Sequence, residues 1–154
     1  MIGSNAMEAA ARWLTDFAEA LRRADRPAVL ALFGEESYWR DLVAFTWTIA
    51  TMEHRAEIGA MLEATLARVR PERFVLEGTP REENGVVQAW FTFETAVGRG
   101  KGHLRLKAGK AWTLLTTLQE LKGFEEKQGA TREQGTQHGA VPIGQRRLLR
   151  ALRR

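Results

Sequence analysis

Two side chains in this sequence have the chemistry and the surroundings needed for proton transfer, Asp41 and His103. Asp41 lies in an apolar, aromatic stretch, SerTyrTrpArgAspLeuValAlaPheThrTrp, that spans 37–47. Burial raises the pKa of a carboxyl group and lowers that of a histidine, and proton transfer near neutral pH requires such shifts. We therefore take Asp41 and His103 as candidate catalytic residues. The alternative for Asp41 is a structural carboxylate held by arginine or by backbone amides.

A further set of side chains could contact a small-molecule ligand. His103 and Arg105 alternate with Leu104 and Leu106, so His103 and Arg105 share one face of a predicted strand. If that face is turned inward, the pair could bind an anionic or carbonyl-bearing ligand, with Asp41 orienting the imidazole. If it is turned outward, the two are ordinary surface residues. The candidate ligand-binding residues are Tyr38, Trp39, Trp47, Trp90, Arg105 and Thr116.

Several kinds of site are excluded by residue types and spacing. The chain has no cysteine, which rules out disulfides, thiol nucleophiles and zinc–thiolate centres. Its histidines, His54, His103 and His138, lack the spacing of a metal motif such as HExxH, so we predict no metal site. The run GlyArgGlyLysGly at 98–102 is not the GxGxxG of a dinucleotide site and joins two predicted strands. We predict a turn or bulge there, and no cofactor.

Three segments have the periodicity of amphipathic helices, and they are 7–24, 28–33 and 55–69. In the first segment Trp13, Phe17 and Leu21 share one face. Asp25 is placed to cap the second helix, and Pro71 lies just beyond the third. We expect these helices to cover one side of the domain.

The remaining segments alternate apolar and polar residues and are predicted as strands, at 49–52, from 74, 86–97, 103–107 and 111–121. The segment 37–47 is predicted as one strand or as a strand with a broken middle. The sequence GluAsnGly at 83–85 is a strong hairpin signal. Helices segregated from a run of antiparallel strands indicate an α+β fold. Both faces of the last strand are rather apolar, as expected if one lines a cavity and the other a homodimer interface.

The charge of the chain is concentrated at one end. The formal net charge is +4, but 145–154 contain five arginines and no acid, leaving 18 basic and 19 acidic side chains in the other 144 residues. We predict an expression-tag remnant at 1–6, a single domain over 7–122, a linker-like extension over 123–144 and a basic amphipathic tail over 145–154. Because the domain itself is near neutral, we do not expect nucleic-acid binding.

Four stretches together resemble a known family: 37–47, AlaTrpPheThrPheGluThr at 89–95, GlyArgGlyLysGlyHisLeuArgLeu at 98–106 and AlaTrpThrLeuLeuThrThrLeuGlnGluLeuLysGly at 111–123. They are similar to the nuclear transport factor 2-like, or SnoaL-like, superfamily. Within it they look most like the domain that precedes bacterial flavin-dependent monooxygenases. The resemblance covers roughly 7–140 and implies a cone-shaped α+β fold, with about three N-terminal helices on a strongly curved, mostly antiparallel sheet. It implies no flavin site, because this sequence lacks the dinucleotide-binding domain of those relatives.

The resemblance implies a small-molecule-binding or accessory domain that works beside a flavoprotein domain or subunit. The alternative is a stand-alone isomerase, cyclase, dehydratase or hydrolase that uses Asp41, with or without His103, as acid and base in an apolar cavity. The expected partners are an apolar small molecule and a second copy of the chain bound through the sheet. The sequence contains no apolar run long enough to span a membrane and no signal peptide, so we expect a cytoplasmic protein.

Overall fold

The computed structural model describes residues 2–123. Its helices are α1 (Ile2–Arg22), α2 (Arg26–Leu30) and α3 (His54–Val69). Asp25 caps α2 as predicted, since its Oδ1 accepts a hydrogen bond of 3.1 Å from the backbone N–H of Ala28. Arg70, with φ 47°, ends α3 in the left-handed conformation, and Pro71 follows it.

Six strands form one sheet: β1 (Phe33–Leu42), β2 (Ile49–Glu53), β3 (Glu72–Glu83), β4 (Val86–Glu94), β5 (Gly98–Lys107) and β6 (Lys110–Leu121). Their spatial order is β2-β1-β6-β5-β4-β3. All neighbours are antiparallel except β1 and β6, which are parallel. The α+β class is confirmed, and the sheet is mixed. The hairpin predicted at Asn84 and Gly85 is present, with positive φ at both residues.

The first strand begins earlier than the sequence predicts. Phe33, which we placed in the second helix, is the first residue of β1 and is paired with Ala111 of β6. β1 ends at Leu42 rather than near Trp47, because the chain turns at Val43 and Trp47, whose φ angles are 75° and 60°. The predicted strand over 37–47 is therefore a strand followed by a tight loop.

The glycine run at 98–102 is strand rather than a turn, and the alternative prediction of a bulge has a counterpart in the register shift between Arg99 and Gly100 in the pairing of β5 with β6. The run forms the first half of β5, where Gly98, Gly100 and Gly102 alternate onto the buried face. A methyl group on Gly102 would lie 2.6 Å from Cε1 of Phe91, and one on Gly100 would lie 2.7 Å from the carbonyl oxygen of Thr117. The glycines are therefore explained by the side chains of β4 and the backbone of β6, which occupy the space over β5.

The core lies between α1, α3 and one face of the sheet, which we call the inner face. Along β4 this face carries Val87, Ala89, Phe91 and Phe93, as the alternation predicted. Aromatic rings fill much of the space. The ring of Phe17, for example, contacts four others, those of Trp13, Phe33, Trp39 and Phe74. The opposite face of the sheet, here the outer face, carries polar and partly exposed side chains.

Of the two ends of the chain, only the N-terminal end lies within the described residues. Residues 2–6 belong to α1 and Ala6 is fully buried, while the tag origin of 1–6 stays a prediction. The tail at 145–154, His138 and nearly all of the linker at 123–144 lie outside the described residues. Within residues 2–123, no helix has both the length and the apolar character needed to cross a bilayer.

Candidate functional site

Asp41 lies on the inner face of β1 and has no exposed surface. Its Oδ1 accepts a hydrogen bond of 2.6 Å from the hydroxyl of Thr116, its partner on β6. That hydroxyl in turn accepts one of 2.8 Å from Nε1 of Trp39. The three side chains form a buried chain from an indole through a hydroxyl to a carboxyl, positioned by the parallel pairing of β1 with β6.

The other carboxyl oxygen of Asp41 holds the loop that follows β1. Oδ2 accepts hydrogen bonds from the backbone N–H groups of Phe45 and Thr46, at 2.9 and 2.8 Å, and the Thr46 hydroxyl lies 2.9 Å away. The loop also contains Val43 at positive φ, a conformation that a β-branched residue rarely adopts. Asp41 thus stabilises a tight turn whose backbone is strained.

Electrostatics at Asp41 favour the neutral carboxyl. Burial raises its pKa, and the hydrogen bonds from Thr116, Thr46 and the backbone of Phe45 lower it without cancelling the effect. The net direction is upward because the group has lost the water that would solvate its charge. No arginine within residues 2–123 pairs with it, and its contacts there are those of the backbone-amide alternative.

His103 lies on the other side of the sheet. It is paired with Trp90 on β4 and Leu115 on β6, and its neighbours in sequence, Gly102 and Leu104, are buried on the inner face. Since side chains alternate along a strand, His103 points to the outer face. Burial, and then the charge of Arg105, lower its pKa. The structure therefore does not bring Asp41 and His103 together.

The predicted ligand-binding residues divide between the same two faces. Trp39 and Thr116 lie inside with Asp41. Trp90 is 47% exposed on the outer face, with its ring centroid 4.5 Å from that of His103. Arg105 donates to the Thr113 hydroxyl on that face at 2.8 Å.

The last two predicted positions belong to β1 and to the loop after it. Tyr38, in the middle of β1, is half-buried on the outer face, and its hydroxyl donates to Glu36 at 3.2 Å. Trp47 is 43% exposed in the loop.

Trp112 alternates in step with Leu114 and Thr116 along β6, but it lies under Arg105 and Lys107 of the outer face. The cause is a register shift in the pairing of β5 with β6 between Arg105 and Leu106.

The structure contains a groove of about 1110 Å³ that the sequence analysis did not find. It runs between α1, the end of α3 and the start of β3. Its apolar lining comes from all three elements: Leu14, Leu21, Leu66, Phe74 and Leu76. Volume and lining are typical of a site for an apolar small molecule.

Small side chains are what leave this space open. Ala11 and Ala18 of α1 and Ala67 of α3 line the groove at positions where larger residues would fill it. Val75 on the β3 side is 58% exposed, an unusual state for a valine in a strand. The spacing of Ala11 and Ala18, two helical turns apart, is the sequence signal that could have indicated a depression on α1.

None of the predicted site residues lines this groove, so the candidate ligand site and the Asp41 cluster are separate in the structure. Nowhere in 2–123 do three or more histidine, aspartate and glutamate side chains come together in a way that could hold a metal ion.

Comparisons with known proteins are informative at the level of the fold. No family model matches the chain, and no curated protein matches it in sequence. Many solved structures match in three dimensions. A Xanthomonas campestris protein described as a polyketide cyclase is 16% identical with a TM-score of 0.56, and the match covers 73% of this chain and 91% of that one. A SnoaL-like family protein from Agrobacterium tumefaciens, described as an isomerase, is 20% identical with a TM-score of 0.52, covering 75% and 98%.

The chain has a SnoaL-like, nuclear transport factor 2-like fold. A domain of unknown function with a cystatin-like fold from Nostoc punctiforme also matches, at 15% identity and a TM-score of 0.60, covering 73% of this chain and 76% of that one. Identities this low establish the architecture and leave the activity to be argued from the site.

Proposed function

We propose that this protein binds an apolar small molecule in the groove between α1, α3 and β3. The observation that carries the proposal is an open groove of about 1110 Å³ whose apolar floor is contributed by three different elements. Half-buried Phe74 and Leu76 leave apolar surface in contact with water, which a ligand would cover. The match to SnoaL-like proteins described as an isomerase and a cyclase supports the proposal, because such enzymes act on small molecules.

Filling the groove tests the proposal. Ala67 and Ala60 are both exposed on α3 and lie two turns apart, but only Ala67 lines the groove. We expect Ala67→Trp to weaken binding of a fluorescent apolar probe, such as a dansyl-labelled undecanoyl amide, by at least about tenfold, and Ala60→Trp to leave it unchanged. Equal affinity in both variants, or no binding by the unaltered protein, would contradict the proposal.

A second candidate function is proton transfer by Asp41, favoured by a buried carboxyl whose pKa is raised. It requires the loop after β1 to open, because Asp41 has no exposed surface in this conformation. In this second candidate function Asp41 acts as the base. His103 lies on the opposite face of the sheet, so it could not contact the same substrate molecule as Asp41.

Nitrobenzisoxazole is a suitable probe for this second candidate. A carboxylate takes the proton from the ring carbon, the nitrogen–oxygen bond breaks, and a coloured nitrile phenolate forms without any co-reactant. We expect the unaltered protein to accelerate this reaction and Asp41→Asn to abolish the acceleration. His103→Gln tests the paired mechanism, which predicts that the rate falls in this variant as well. A rate equal to buffer for the unaltered protein would remove the enzymatic candidate.

The accessory role beside a flavin-dependent monooxygenase is a further part of the proposal. Four stretches of the sequence resemble the domain that precedes these monooxygenases. Three of them lie on β4, β5 and β6, and the fourth covers most of β1. All four therefore belong to neighbouring strands of the sheet, which supports the proposal. If a monooxygenase is encoded next to this chain, we expect the two proteins to co-elute in size-exclusion chromatography and the chain alone to bind no flavin. Separate elution would count against the accessory role.

Dimerisation through the outer face of the sheet also stays a proposal. Trp90 is exposed there, and Leu115, on the other side of His103 in the sheet, is half-buried. We expect sedimentation to give a dimer that Trp90→Glu dissociates. A monomer before the substitution would end this part of the proposal.

A further inference from the structure

We propose that the groove takes amphipathic anions, an apolar body with one carboxylate, and that Arg70 binds the carboxylate. This inference rests on the proposed function, since the apolar body would occupy the same groove. It names the ligand class, which the apolar lining alone leaves open.

Arg70 differs from the other cations of the groove in having no partner. Three guanidinium groups line the groove, those of Arg22, Arg70 and Arg73. Arg22 pairs with Glu19, and Arg73 lies 3.6 Å from Glu72. Among the described residues, the side chain of Arg70 makes no hydrogen bond or ion pair. The groove therefore offers one guanidinium whose charge no carboxylate neutralises.

The acidic residues of the lining do not supply that carboxylate. They are Asp16, Glu19 and Glu72, and the two glutamates are already paired with arginines. Asp16 lies on α1, and among the described residues it forms no ion pair with Arg70. Arg70 is therefore the cation of the lining that is available to bind a carboxylate.

The backbone holds Arg70 in a defined position at the groove. Its N–H donates to the carbonyl of Leu66 at 3.1 Å, and buried Pro71 fixes the next φ angle. Leu66, on the same turn, contributes to the apolar lining. A planar guanidinium next to an apolar floor can bind a carboxylate through two parallel hydrogen bonds while the rest of the ligand stays on the floor.

The test compares two probes with the same apolar body, dansyl-labelled undecanoate and its uncharged primary amide. We expect the unaltered protein to bind the carboxylate about tenfold more tightly than the amide, with a preference that salt reduces. Arg70→Gln should remove the preference while retaining the affinity for the amide. Arg81→Gln, an exposed position of β3 outside the groove, is the matched control and should keep the preference.

The possible results separate this inference from the function on which it rests. Equal binding of both probes by the unaltered protein would overturn the role of Arg70 and leave the apolar site standing. A preference that survives Arg70→Gln would do the same. If neither probe binds, the proposed function itself fails. Because Arg70 is exposed and glutamine tolerates the same backbone conformation as arginine, loss of folding is not an expected outcome.

Discussion

Each face of this sheet has a tryptophan next to a titratable side chain, but the tryptophan is buried on the inner face and exposed on the outer face. On the inner face, Trp39 is fully buried and donates its indole N–H to Thr116, which binds Asp41. On the outer face, Trp90 is 47% exposed and packs its ring against His103. A tryptophan with a titratable group nearby is thus part of the core on one side and of an open surface on the other.

The face of the sheet on which a side chain lies therefore says more about its role than its residue type does, and that face depends on whether the residue is at an odd or an even position along its strand. Burial raises the pKa of Asp41 and lowers that of His103, so the pKa values of the two groups move toward each other. Their shifts suit a catalytic pair, but the sheet separates them. The groove, which contains neither, is where a ligand has room to bind.

The largest effect is expected from replacing the two tryptophans by alanine. Trp39→Ala should lower the free energy of unfolding by about 3–5 kcal/mol, because it leaves a cavity in the core and removes the donor to Thr116. Trp90→Ala should cost about 1 kcal/mol or less, since half of its surface is already in water and it loses only its contacts with His103 and Lys101. Urea denaturation measures both values. Similar losses would mean that the outer face is covered by a partner in solution.

A smaller effect is expected at Gly102, on the inner face of β5. The methyl group of Gly102→Ala would overlap the ring of Phe91, and the shift needed to relieve this should cost about 1–3 kcal/mol. Gly34→Ala is the control, because its nearest neighbour would be the carbonyl oxygen of Glu36 at 3.4 Å. We expect that variant to be as stable as the unaltered protein or slightly more so. If Gly102→Ala were harmless, the inner face would be less closely packed than the ring contacts indicate.

Much of the fold could be predicted from local patterns. The alternation along β4 places Phe91 and Phe93 on one face, which the structure buries, and Asn84 with Gly85 identified the hairpin. These signals are local, because the alternation of side chains along a strand and the residue preferences of a turn both depend on residues that are neighbours in sequence. The glycine run at 98–102 was wrong as a turn because its cause is not local, since the ring of Phe91 on β4 takes the space over Gly102.

The site was predicted less well, for reasons that involve distant residues. Asp41 is buried, as its apolar setting in the sequence suggests, but the donors that bind it come from β6 and from a loop that was predicted as strand or as a broken strand. Trp112 lies on the face opposite to Leu114 and Thr116 because of one register shift, which alternation alone cannot reveal. The groove depends on how α1, α3 and β3 pack, and the spacing of Ala11 and Ala18 indicates only the depression on α1.

The smallest expected effect is a dependence of stability on pH that belongs to the inner face alone. Because burial raises the folded-state pKa of Asp41 above the value of 3.8 of an ordinary aspartate, the folded protein holds this proton more tightly than the unfolded chain does. The stability gained from the protonated carboxyl is present below pH 3.8 and is lost as the pH rises through the folded-state pKa. Asp41→Asn removes this contribution, while the amide oxygen of the asparagine can still accept the hydrogen bond from the Thr116 hydroxyl. The free energy of unfolding of the unaltered protein minus that of Asp41→Asn, from urea denaturation between pH 3.8 and neutrality, should therefore fall as pH rises. A difference that rises with pH would show that the hydrogen bonds from Thr46, Thr116 and the loop backbone outweigh burial, and that Asp41 is an ionised structural carboxylate.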